Sequence, residues 1–553
     1  MSLILVLDDA ERPDAVVLQE VDADGHLGAR SLVPATDLPA AVAAREGEHP
    51  RWVWDDTGHR YPPLLAAGVR VERCHDLRLC HTILRRSVLS AGSELALAPP
   101  GPWDTPRAQE PLSVEASLFD DLTPEPAADA DPLAELQLQL AAVAGADEPG
   151  RLRLLLAAES SGALVAAEMQ HDGMPWSTRA HDALLTELLG PRPPAGGRPS
   201  RLDALAQEVR AALDQPTLNL DSQQELLRGL RAAGVEVGST RTYELQQVEH
   251  PVTAPLLAYK KLARLLSANG WAWMDTWVHD GRFRPDYVVG GVVTGRWATS
   301  GGGALQLPAA IRGAVRADPG WRLVVADARQ LEPRVLAAMS GDAAMAAAGR
   351  QTDLYQGVVD AGIVETREQA KYAMLGAIYG ATTGASAVLM PQLTRAYPRA
   401  VGLVEAAARA GERGEVVSTW LGRSSPPPSL AWQEQLLAAS SEGAAPEDAR
   451  AARQRRRDWG RFTRNFVVQG TAAEWALCWM AALRRRLCAI EGRPHLVFFL
   501  HDEVMVHTPA EVADAVAAAV LEAAVEAGRL LFGDSPVDFA LQVTVAESYD
   551  QAK

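Results

Sequence analysis

The chain has 553 residues, of which 48% are hydrophobic and 22% charged, a composition typical of a globular protein with several domains. No apolar run approaches the roughly 20 residues that cross a bilayer, and no basic segment precedes the apolar start, so neither a membrane protein nor a signal peptide is expected. The formal charge of −17 argues at first against a nucleic-acid partner, and the four cysteines include no CxxC pair that would predict a zinc site.

Residues 1–90 are predicted to form a small α/β domain. Strand-like apolar runs at Leu3–Leu7, Ala15–Leu18, Val53–Trp54 and Val69–Val71 alternate with helical stretches. From residue 91 to 131 the composition changes to Pro, Ala, Asp, Glu and Ser without periodicity, which predicts a linker. Amphipathic helices are predicted at Pro132–Ala144 and Arg151–Ala167, and more helices follow a Pro/Gly-rich break at 191–199.

The first segment that could carry chemistry is an apolar strand that ends in a carboxylate. Leu323–Ala326 is followed by Asp327, and Gln330 and Glu332 open the helix that comes next. An aspartate at the end of a strand could bind a metal, but taken alone it is more often the cap of the following helix.

The second segment is a predicted helix that carries Arg367, Lys371, Leu375 and Tyr379 at steps of four residues. Each step turns the helix by about 400°, so the four side chains lie along one side. Two cations and an aromatic ring could hold a triphosphate and stack near a base. The alternative is a surface pair of cations above a buried tyrosine.

The third segment repeats the same spacing with Arg461, Asn465 and Gln469. These residues adjoin a stretch from Arg450 to Arg464 in which seven arginines accompany one acidic residue. Long hydrogen-bonding side chains on one helical face could follow the minor groove, whose acceptors are similar at every base pair. A solvated helix face would show the same pattern.

The fourth segment is a pair of apolar strands, Leu496–Leu500 and Val504–His507, interrupted by His501, Asp502 and Glu503. A plain hairpin would favour Gly, Pro or Asn at such a turn. Two carboxylates held between buried strands are instead what a hard divalent cation requires.

Taken in order, these segments resemble motifs A, B and C of the DNA polymerase I family. Thr294-Gly295-Arg296 resembles the TGR segment of that family, and Asn465 with Gln469-Gly470-Thr471 resembles its N…QGT segment. The resemblance covers about residues 150–553. It implies a DNA-templated DNA polymerase that adds dNTPs to a primer 3′-OH in DNA replication or repair.

The resemblance also implies roles for individual residues. Asp327 and Asp502 would hold two Mg²⁺ ions, for which Mn²⁺ could substitute, while Glu503 supports the site and Lys371 protonates the pyrophosphate. The implied dNTP-binding residues are Arg367, Lys371, Leu375, Tyr379, Glu332, Gln330 and Tyr355. The implied contacts to the primer–template are Arg296, Arg461, Asn465, Gln469 and His501.

Several positions depart from the family pattern. Ala328-Arg329 stands where the family has Tyr-Ser, Leu375 replaces an aromatic residue, and Tyr355 occupies the place of a histidine that contacts phosphate. The carboxylates are kept while some substrate contacts differ, which indicates a divergent polymerase.

The implied fold is α+β and multidomain: a right-hand polymerase of palm, fingers and thumb, preceded by a small α/β domain that resembles the RNase H-like 3′–5′ exonuclease domain. The polymerase domain would span 132–553, with the thumb at about 195–274, the palm at about 275–339 and 451–553, and the fingers at about 340–450. In the first domain Asp9 and Glu11 have the DxE spacing but follow the apolar run. We therefore expect a degenerate domain without proofreading, and no 5′ nuclease.

Two other functions remain open from the sequence: a catalytically silent scaffold that binds primer–template, and a single-subunit RNA polymerase. Within the predicted linker, Ser117, Leu118 and Phe119 resemble the peptide by which bacterial replication proteins dock on the sliding clamp; the alternative is that Leu118 and Phe119 pack on the polymerase itself. The chain is expected to be a cytoplasmic, nucleoid-associated monomer without a membrane partner.

Overall fold

The computed structural model describes residues 2–105, 130–194, 197–350, 353–380, 384–441 and 445–552. Its strands are β1 Leu3–Asp8, β2 Ala15–Val21, β3 Leu27–Pro34, β4 Arg51–Trp54, β5 Cys74–Asp76, β6 Met174–Pro175, β7 Val278–His279, β8 Arg282–Phe283, β9 Asp286–Val288, β10 Ala298–Gly301, β11 Trp321–Ala328, β12 His495–Leu500, β13 Glu503–Pro509 and β14 Leu541–Ala546. Its helices are α1 Leu38–Glu46, α2 Thr57–Ala66, α3 Leu77–Arg86, α4 Glu94–Leu97, α5 Pro132–Ala144, α6 Pro149–Asp172, α7 Thr178–Leu189, α8 Ser200–Ala212, α9 Gln223–Ala232, α10 Thr242–Leu245, α11 Thr253–Asn269, α12 Trp271–Trp277, α13 Leu331–Ser340, α14 Ala343–Ala348, α15 Leu354–Asp360, α16 Arg367–Tyr379, α17 Gly384–Ala396, α18 Pro398–Glu412, α19 Leu430–Ala439, α20 Pro446–Leu487 and α21 Ala513–Phe532.

The N-terminal sheet has the strand order β3-β2-β1-β4-β5. Strands β1, β4 and β5 run parallel, while β2 pairs antiparallel with β1 and β3 pairs antiparallel with β2. Ile4 and Val6 belong to one buried cluster and Leu3 and Leu5 to another, as the period of two predicts for a strand with both faces covered. Residues from α2 and α6 cover the first face, and residues from α3 and α5 the second.

The predicted strand at Val69–Val71 is wrong. These residues are irregular because other groups bind their backbone: Val71 N–H donates to the Tyr61 hydroxyl at 3.3 Å, and the Arg484 guanidinium donates to the Val71 carbonyl at 2.5 Å. The strand in this part of the chain is instead β5, at Cys74–Asp76. Strand β3 was missed because most of its residues are exposed, so no hydrophobic alternation marks it.

A buried ion pair between α6 and α20 is hydrogen-bonded to the N-terminal sheet domain. Arg484 of α20 donates to both carboxylate oxygens of Glu168 in α6, at 2.7 and 2.9 Å. The hydroxyl of Tyr61 in α2 donates to the same carboxylate at 2.6 Å. Removing one partner of a buried pair typically costs about 3–5 kcal/mol. Because Tyr61 and the Val71 carbonyl of the first domain both bind this pair, that domain is packed firmly on the rest of the protein.

In the predicted linker, residues 91–105 contain α4, and Asp131 caps α5 by accepting from the N–H groups of Leu133 and Ala134. Ser117, Leu118 and Phe119 lie outside the described residues. The predicted helices at Pro132–Ala144 and Arg151–Ala167 are confirmed, the second as part of the longer α6.

Helices α8, α9 and α11 share a hydrophobic core of their own, within the segment predicted as the thumb. A second hydrophobic core is formed by residues of the six helices from α13 to α18, largely within the segment predicted as the fingers. Helix α20 spans 42 residues and contains an 18-residue window apolar enough to cross a membrane, but 83% of that window is buried inside the protein. This burial is typical of the core helix of a globular protein.

The sheet that carries the candidate site has the order β12-β13-β11-β14, with every neighbouring pair antiparallel. Its central residues Leu323–Ala326 and Val504–Val506 are buried, with α6, α20 and α21 packed against the sheet. The predicted strand pair around His501, Asp502 and Glu503 is confirmed. The buried strands give the turn at their end a rigid support.

Candidate active site

Asp327 and Asp502 come together at one end of two neighbouring strands. Asp327 on β11 lies opposite Glu503 at the start of β13. The next residue, Ala328, donates its N–H to the main-chain carbonyl of Asp502 at 2.8 Å. Both aspartates are half-buried. The fold therefore places two carboxylates from distant parts of the chain side by side, where their oxygens could hold hard divalent cations.

The turn that carries Asp502 is a two-residue hairpin, because Leu500 pairs directly with Glu503. His501 adopts a φ of +57°, a left-handed conformation that is uncommon for residues other than glycine. The backbone just before the turn is held by the Tyr287 hydroxyl, which donates to the Phe499 carbonyl at 2.8 Å and accepts the Phe499 N–H at 3.0 Å. Strained residues with such support are frequent at functional sites.

Glu503 is only 3% exposed and lies beside the fully buried Tyr549. Burial, followed by the nearby Glu503 carboxylate, raises the pKa of the Tyr549 hydroxyl. The guanidinium of Arg312 stacks on the Tyr549 ring at 4.8 Å. Glu503 is therefore placed to support the hairpin from inside the protein.

The turn after Asp327 is held by the buried side chain of Arg334. Its guanidinium donates to the carbonyl oxygens of Arg329 at 2.9 Å, Gly349 at 2.6 Å and Asp538 at 2.6 Å. Gln330 begins the following helix with a φ of +48° and donates to Asp353 at 3.3 Å. These bonds position the segment between Asp327 and Glu332.

Glu332 is bound by two other predicted site residues. One carboxylate oxygen accepts from the Arg296 guanidinium and the other from the Tyr379 hydroxyl. Burial, and then the hydrogen bond to Glu332, raises the pKa of Tyr379. The side chain of Gln469 also contacts the Tyr379 hydroxyl. Four separate segments of the chain thus meet around one carboxylate.

Helix α16 is confirmed from Arg367 to Tyr379, with a capping box at Thr366 and Gly380 at its end with a φ of +68°. Arg367 donates to Asp353 at 2.6 Å, and its guanidinium stacks on the Tyr355 ring at 5.6 Å. Burial alone would raise the pKa of the Asp353 carboxyl, but the hydrogen bond from Arg367 helps to lower it. Burial also raises the pKa of Tyr355 to about 12.

A cavity of about 410 Å³ lies between these elements. It unites nine of the predicted site residues and is completed by apolar side chains such as Trp297 and Phe499. Burial, and next the positive charge of Arg296, lowers the pKa of His501 at its rim. The predicted residues that line the cavity are Arg296, Gln330, Glu332, Tyr355, Lys371, Leu375, Tyr379, His501 and Asp502.

Arg461, Asn465 and Gln469 lie on α20, which leads to the cavity. Arg461 is exposed and donates to Asp458. The side-chain oxygen of Asn465 is buried and has no hydrogen-bond partner among the described residues. None of these three side chains lines the cavity, but an orphaned acceptor on the helix that reaches it is suited to receive a donor from a ligand.

Two buried acids behind the cavity were missed from the sequence. Glu159 of α6 accepts from Arg423 at 2.7 Å, and Gly295 packs so closely on Arg423 that an added Cβ would lie 2.6 Å from its Nε. Glu474 of α20 accepts the Leu421 N–H at 3.0 Å, and burial raises its pKa to about 7. In the sequence, each of these glutamates is a single acidic residue among apolar residues of a predicted helix. Such a pattern by itself indicates neither a partner nor a function.

The fold defines the class of the protein. The chain is similar to the Pol domain of Pol1 from M. smegmatis, solved in complex with DNA primer-template and dNTP, with a TM-score of 0.66 and 19% identity over 100% of this chain and 95% of that one. This likeness shows an α+β polymerase fold of several domains. The family model "DNA polymerase family A" matches residues 199–551. The chain belongs to DNA polymerase family A.

Its curated relatives are divergent. DNA polymerase I of Chloroflexus aurantiacus is 28% identical over 319 residues, which cover 53% of this chain and 32% of the relative. The thermostable DNA polymerase I of Thermus aquaticus is 26% identical over 349 residues, 58% of this chain and 39% of the relative. The chain thus spans about a third to two fifths of the length of these relatives.

Proposed function

We propose that the protein is a DNA-templated DNA polymerase that adds dNTPs to a primer 3′-OH. The observation that carries this proposal is that the pairing of β11 with β13 brings Asp327 next to Asp502, which lines the cavity together with Lys371, Tyr379 and Glu332. In the reaction, the primer 3′-oxygen bonds to the α-phosphorus while the bond to pyrophosphate breaks. The 3′-OH loses its proton, and pyrophosphate leaves.

Asp327 and Asp502 supply the oxygen ligands that Mg²⁺ prefers, and we assign two ions to them, with Mn²⁺ as an alternative. When bound, such ions would lower the pKa of the 3′-OH and neutralise charge on the pyrophosphate. Glu503, buried beneath the hairpin, would keep the Asp502 turn in place. The strand pairing and the Ala328–Asp502 bond hold the backbone of both aspartates in place before substrate arrives.

Lys371 and Arg367 would bind the triphosphate, with Lys371 donating a proton to the leaving pyrophosphate. Arg367 already has a partner in Asp353, so a triphosphate would compete for its guanidinium or share it. Tyr355 fixes that guanidinium by stacking, where a family histidine would contact phosphate. Gln330, bonded to Asp353, completes this side of the cavity.

Glu332 would select the sugar. Its carboxylate is bound to Arg296 and Tyr379, so it cannot move away from a ribose 2′-OH without breaking one of two charge-assisted bonds. Leu375 offers no aromatic ring at the 3′ side of the sugar. Tyr379 would stack near the templating base.

Arg296, Arg461, Asn465, Gln469 and His501 would contact the primer–template. The unpaired oxygen of Asn465 and the position of Gln469 beside Tyr379 support this assignment. Minor-groove contacts of this kind are independent of sequence. We also propose that the protein acts as a monomer in the cytoplasm, associated with the nucleoid.

We also propose that the N-terminal domain does not proofread. Asp8 ends β1 and Asp55 follows β4, so two carboxylates meet at one edge of the parallel strands. Arg60 donates to Asp8 at 2.6 and 2.7 Å and to Asp55 at 3.0 Å. A guanidinium therefore neutralises the carboxylates that a metal-dependent nuclease would need for its cation.

Clamp binding through Ser117, Leu118 and Phe119 stays a proposal from the sequence. The purified clamp should bind wild type and lose affinity for the double variant Leu118→Ala, Phe119→Ala. Equal affinity for both proteins, or binding by neither, would end the idea.

Primer extension with separate dNTP and NTP pools tests the proposed function. We expect elongation with dNTPs, none without a divalent cation, and poor use of NTPs. Binding of primer–template without extension would favour a silent scaffold, while preferred extension with NTPs would favour an RNA polymerase.

A further inference from the structure

A buried arginine supports the turn that carries Arg296. The turn is closed by two main-chain bonds: the Gly295 N–H donates to the Val292 carbonyl at 2.7 Å, and the Val292 N–H donates to the Arg296 carbonyl at 3.1 Å. Arg423, from the segment between α18 and α19, is 8% exposed and packs against this turn. An added Cβ at Gly295 would lie 2.6 Å from the Arg423 Nε and 2.9 Å from its Cζ. The guanidinium is therefore in contact with the residue that precedes Arg296.

The Arg423 guanidinium is held by a buried carboxylate. It donates to Glu159 of α6 at 2.7 Å, and Glu159 is only 1% exposed. Burial raises the pKa of Glu159, although the charge of Arg423 and the hydrogen bond from it act in the opposite direction. An added Cβ at Gly290 would lie 2.5 Å from the Glu159 carboxylate. The ion pair therefore contacts the chain on both sides of Val292, at Gly290 and at Gly295.

The segment that supplies Arg423 is itself fixed from two directions. Glu474 of α20 accepts the Leu421 N–H at 3.0 Å. The hydroxyl of Ser87, which follows α3, donates to the Gly422 carbonyl at 2.7 Å. These bonds hold the backbone on either side of the arginine, so the guanidinium has a rigid base.

Stability alone does not explain the Glu159–Arg423 pair. The Arg423 Nε is buried and has no hydrogen-bond partner in the part of the chain that the structure describes. An unsatisfied buried donor costs about 1–3 kcal/mol, and apolar residues of similar volume are often as stabilising as a buried ion pair. Arg484, which pairs with Glu168 of the same helix α6, is different, because every nitrogen of its guanidinium donates a hydrogen bond. The poorly satisfied guanidinium is the one that touches a turn of the candidate site.

The effect of the turn is to direct the Arg296 side chain. The next residue, Trp297, is 3% exposed and packs between two aromatic rings at centroid distances of 5.0 and 5.1 Å. One neighbour of Arg296 is thus held between rings, and the other, Gly295, is held against Arg423. The Arg296 guanidinium lines the cavity and donates to Glu332 there. Movement of the turn away from Arg423 would separate Arg296 from Glu332.

We propose that Arg423 is a positioning residue for Arg296 and, through Arg296, for the Glu332 carboxylate. The inference rests on the proposed function, which assigns Glu332 to the selection of the sugar and Arg296 to a contact with the primer–template. Arg423 is not among the described residues that line the cavity, so it acts by limiting the positions that Arg296 adopts. A displacement of about 1 Å in a reacting site can cost about 100-fold in rate, so a loosened turn would have a measurable effect.

The test is a double-mutant cycle between Arg423→Met and Arg296→Ala. Two quantities are measured for each protein: the ratio of kcat/KM values for dNTP and NTP, and the affinity for primer–template by fluorescence anisotropy. The double variant Glu159→Gln, Arg423→Met leaves no unpaired buried charge and serves if Arg423→Met alone fails to fold. The matched control is Glu168→Gln, Arg484→Met, which removes the other buried ion pair of α6. Thermal unfolding reports whether each variant is folded.

We expect Arg423→Met to lower the preference for dNTP over NTP about tenfold, the effect of losing one hydrogen bond to a charged group. It should weaken primer–template binding no more than Arg296→Ala does. In the Arg296→Ala background the same change should add less than about twofold to either effect, because residues that act through one another are not additive. Arg423→Lys keeps the charge beside Glu159 and should restore most of both properties. The control should select and bind like wild type.

Wild-type selection and affinity in Arg423→Met would overturn the proposal, and so would its full effect in the Arg296→Ala background. Equal losses in the control, or unfolding of both Arg423→Met and its double variant, would overturn it as well, because the residue would then serve stability alone. An unchanged sugar ratio in Glu332→Gln would refute the role of Glu332, and absence of elongation by wild type would refute the polymerase function. In both cases the cycle in primer–template affinity still decides whether Arg423 acts through Arg296.

Discussion

Removing the Tyr379 hydroxyl tests the proposed role of Glu332 in selecting the sugar of the incoming nucleotide. That hydroxyl donates to Glu332, which otherwise depends on Arg296 alone. A hydrogen bond to a charged group contributes about 1.5–3 kcal/mol, and since Tyr379 is 36% exposed, water can replace part of it. We therefore take the low end, about 1.5 kcal/mol, which corresponds to slightly more than a tenfold change in rate.

Tyr379→Phe should lower the preference for dNTP over NTP about tenfold, measured as the ratio of kcat/KM values in single-nucleotide incorporation. Tyr372→Phe is the matched control, because Tyr372 lies on the same helix and is 49% exposed. Glu332→Gln should shift the ratio in the same direction. A ratio that Tyr379→Phe leaves at the wild-type value would refute the reasoning.

The remaining predictions concern pH, proofreading and the sugar 3′ position. Burial, and then nearby His495, lowers the pKa of His507 to about 4, below the 6.5 of an exposed histidine. The unfolded chain therefore binds this proton at a higher pH than the folded protein does. As pH falls from about 6.5 to 4, the free energy of unfolding should fall by up to about 3 kcal/mol. Chemical denaturation of His507→Phe should lack this part of the pH dependence, and a pH profile identical to that of wild type would contradict the assignment. Because Arg60 bridges Asp8 and Asp55, a labelled mismatched primer should keep its 3′ nucleotide in the presence of Mg²⁺. Digestion that survives Asp327→Ala but is lost in Asp9→Ala or Glu11→Ala would prove that the N-terminal domain is an active exonuclease. Leu375→Phe should change the incorporation of dideoxynucleotides relative to dNTPs, and an unchanged ratio would remove Leu375 from the sugar contact.

The local patterns were the predictable part of the protein. The spacing of Arg367 and Tyr379 indicated a helix with one functional side, and the apolar runs around Asp502 indicated a hairpin; the structure confirms both elements. Each of these signals lies within a few residues of the chain. Their meeting at one cavity followed only from the resemblance to a family.

The contacts that join distant segments were not predictable. Arg334 looked like an ordinary helical arginine, but it is 1% exposed and binds carbonyl groups as far away as Asp538. Likewise, nothing near Arg60 indicated that it would lie between Asp8 and Asp55. A single sequence shows which side chains are available, while the partner of each depends on the packing of whole elements.

The central claim is that Asp327 and Asp502 together perform nucleotidyl transfer. The most direct measurement is single-turnover incorporation of one dNTP by Asp327→Asn and Asp502→Asn, alongside their affinity for primer–template. We expect both variants to bind DNA within a few-fold of wild type and to lose extension, because these carboxylates act on the transition state. Incorporation by either variant at close to the wild-type rate would contradict the account.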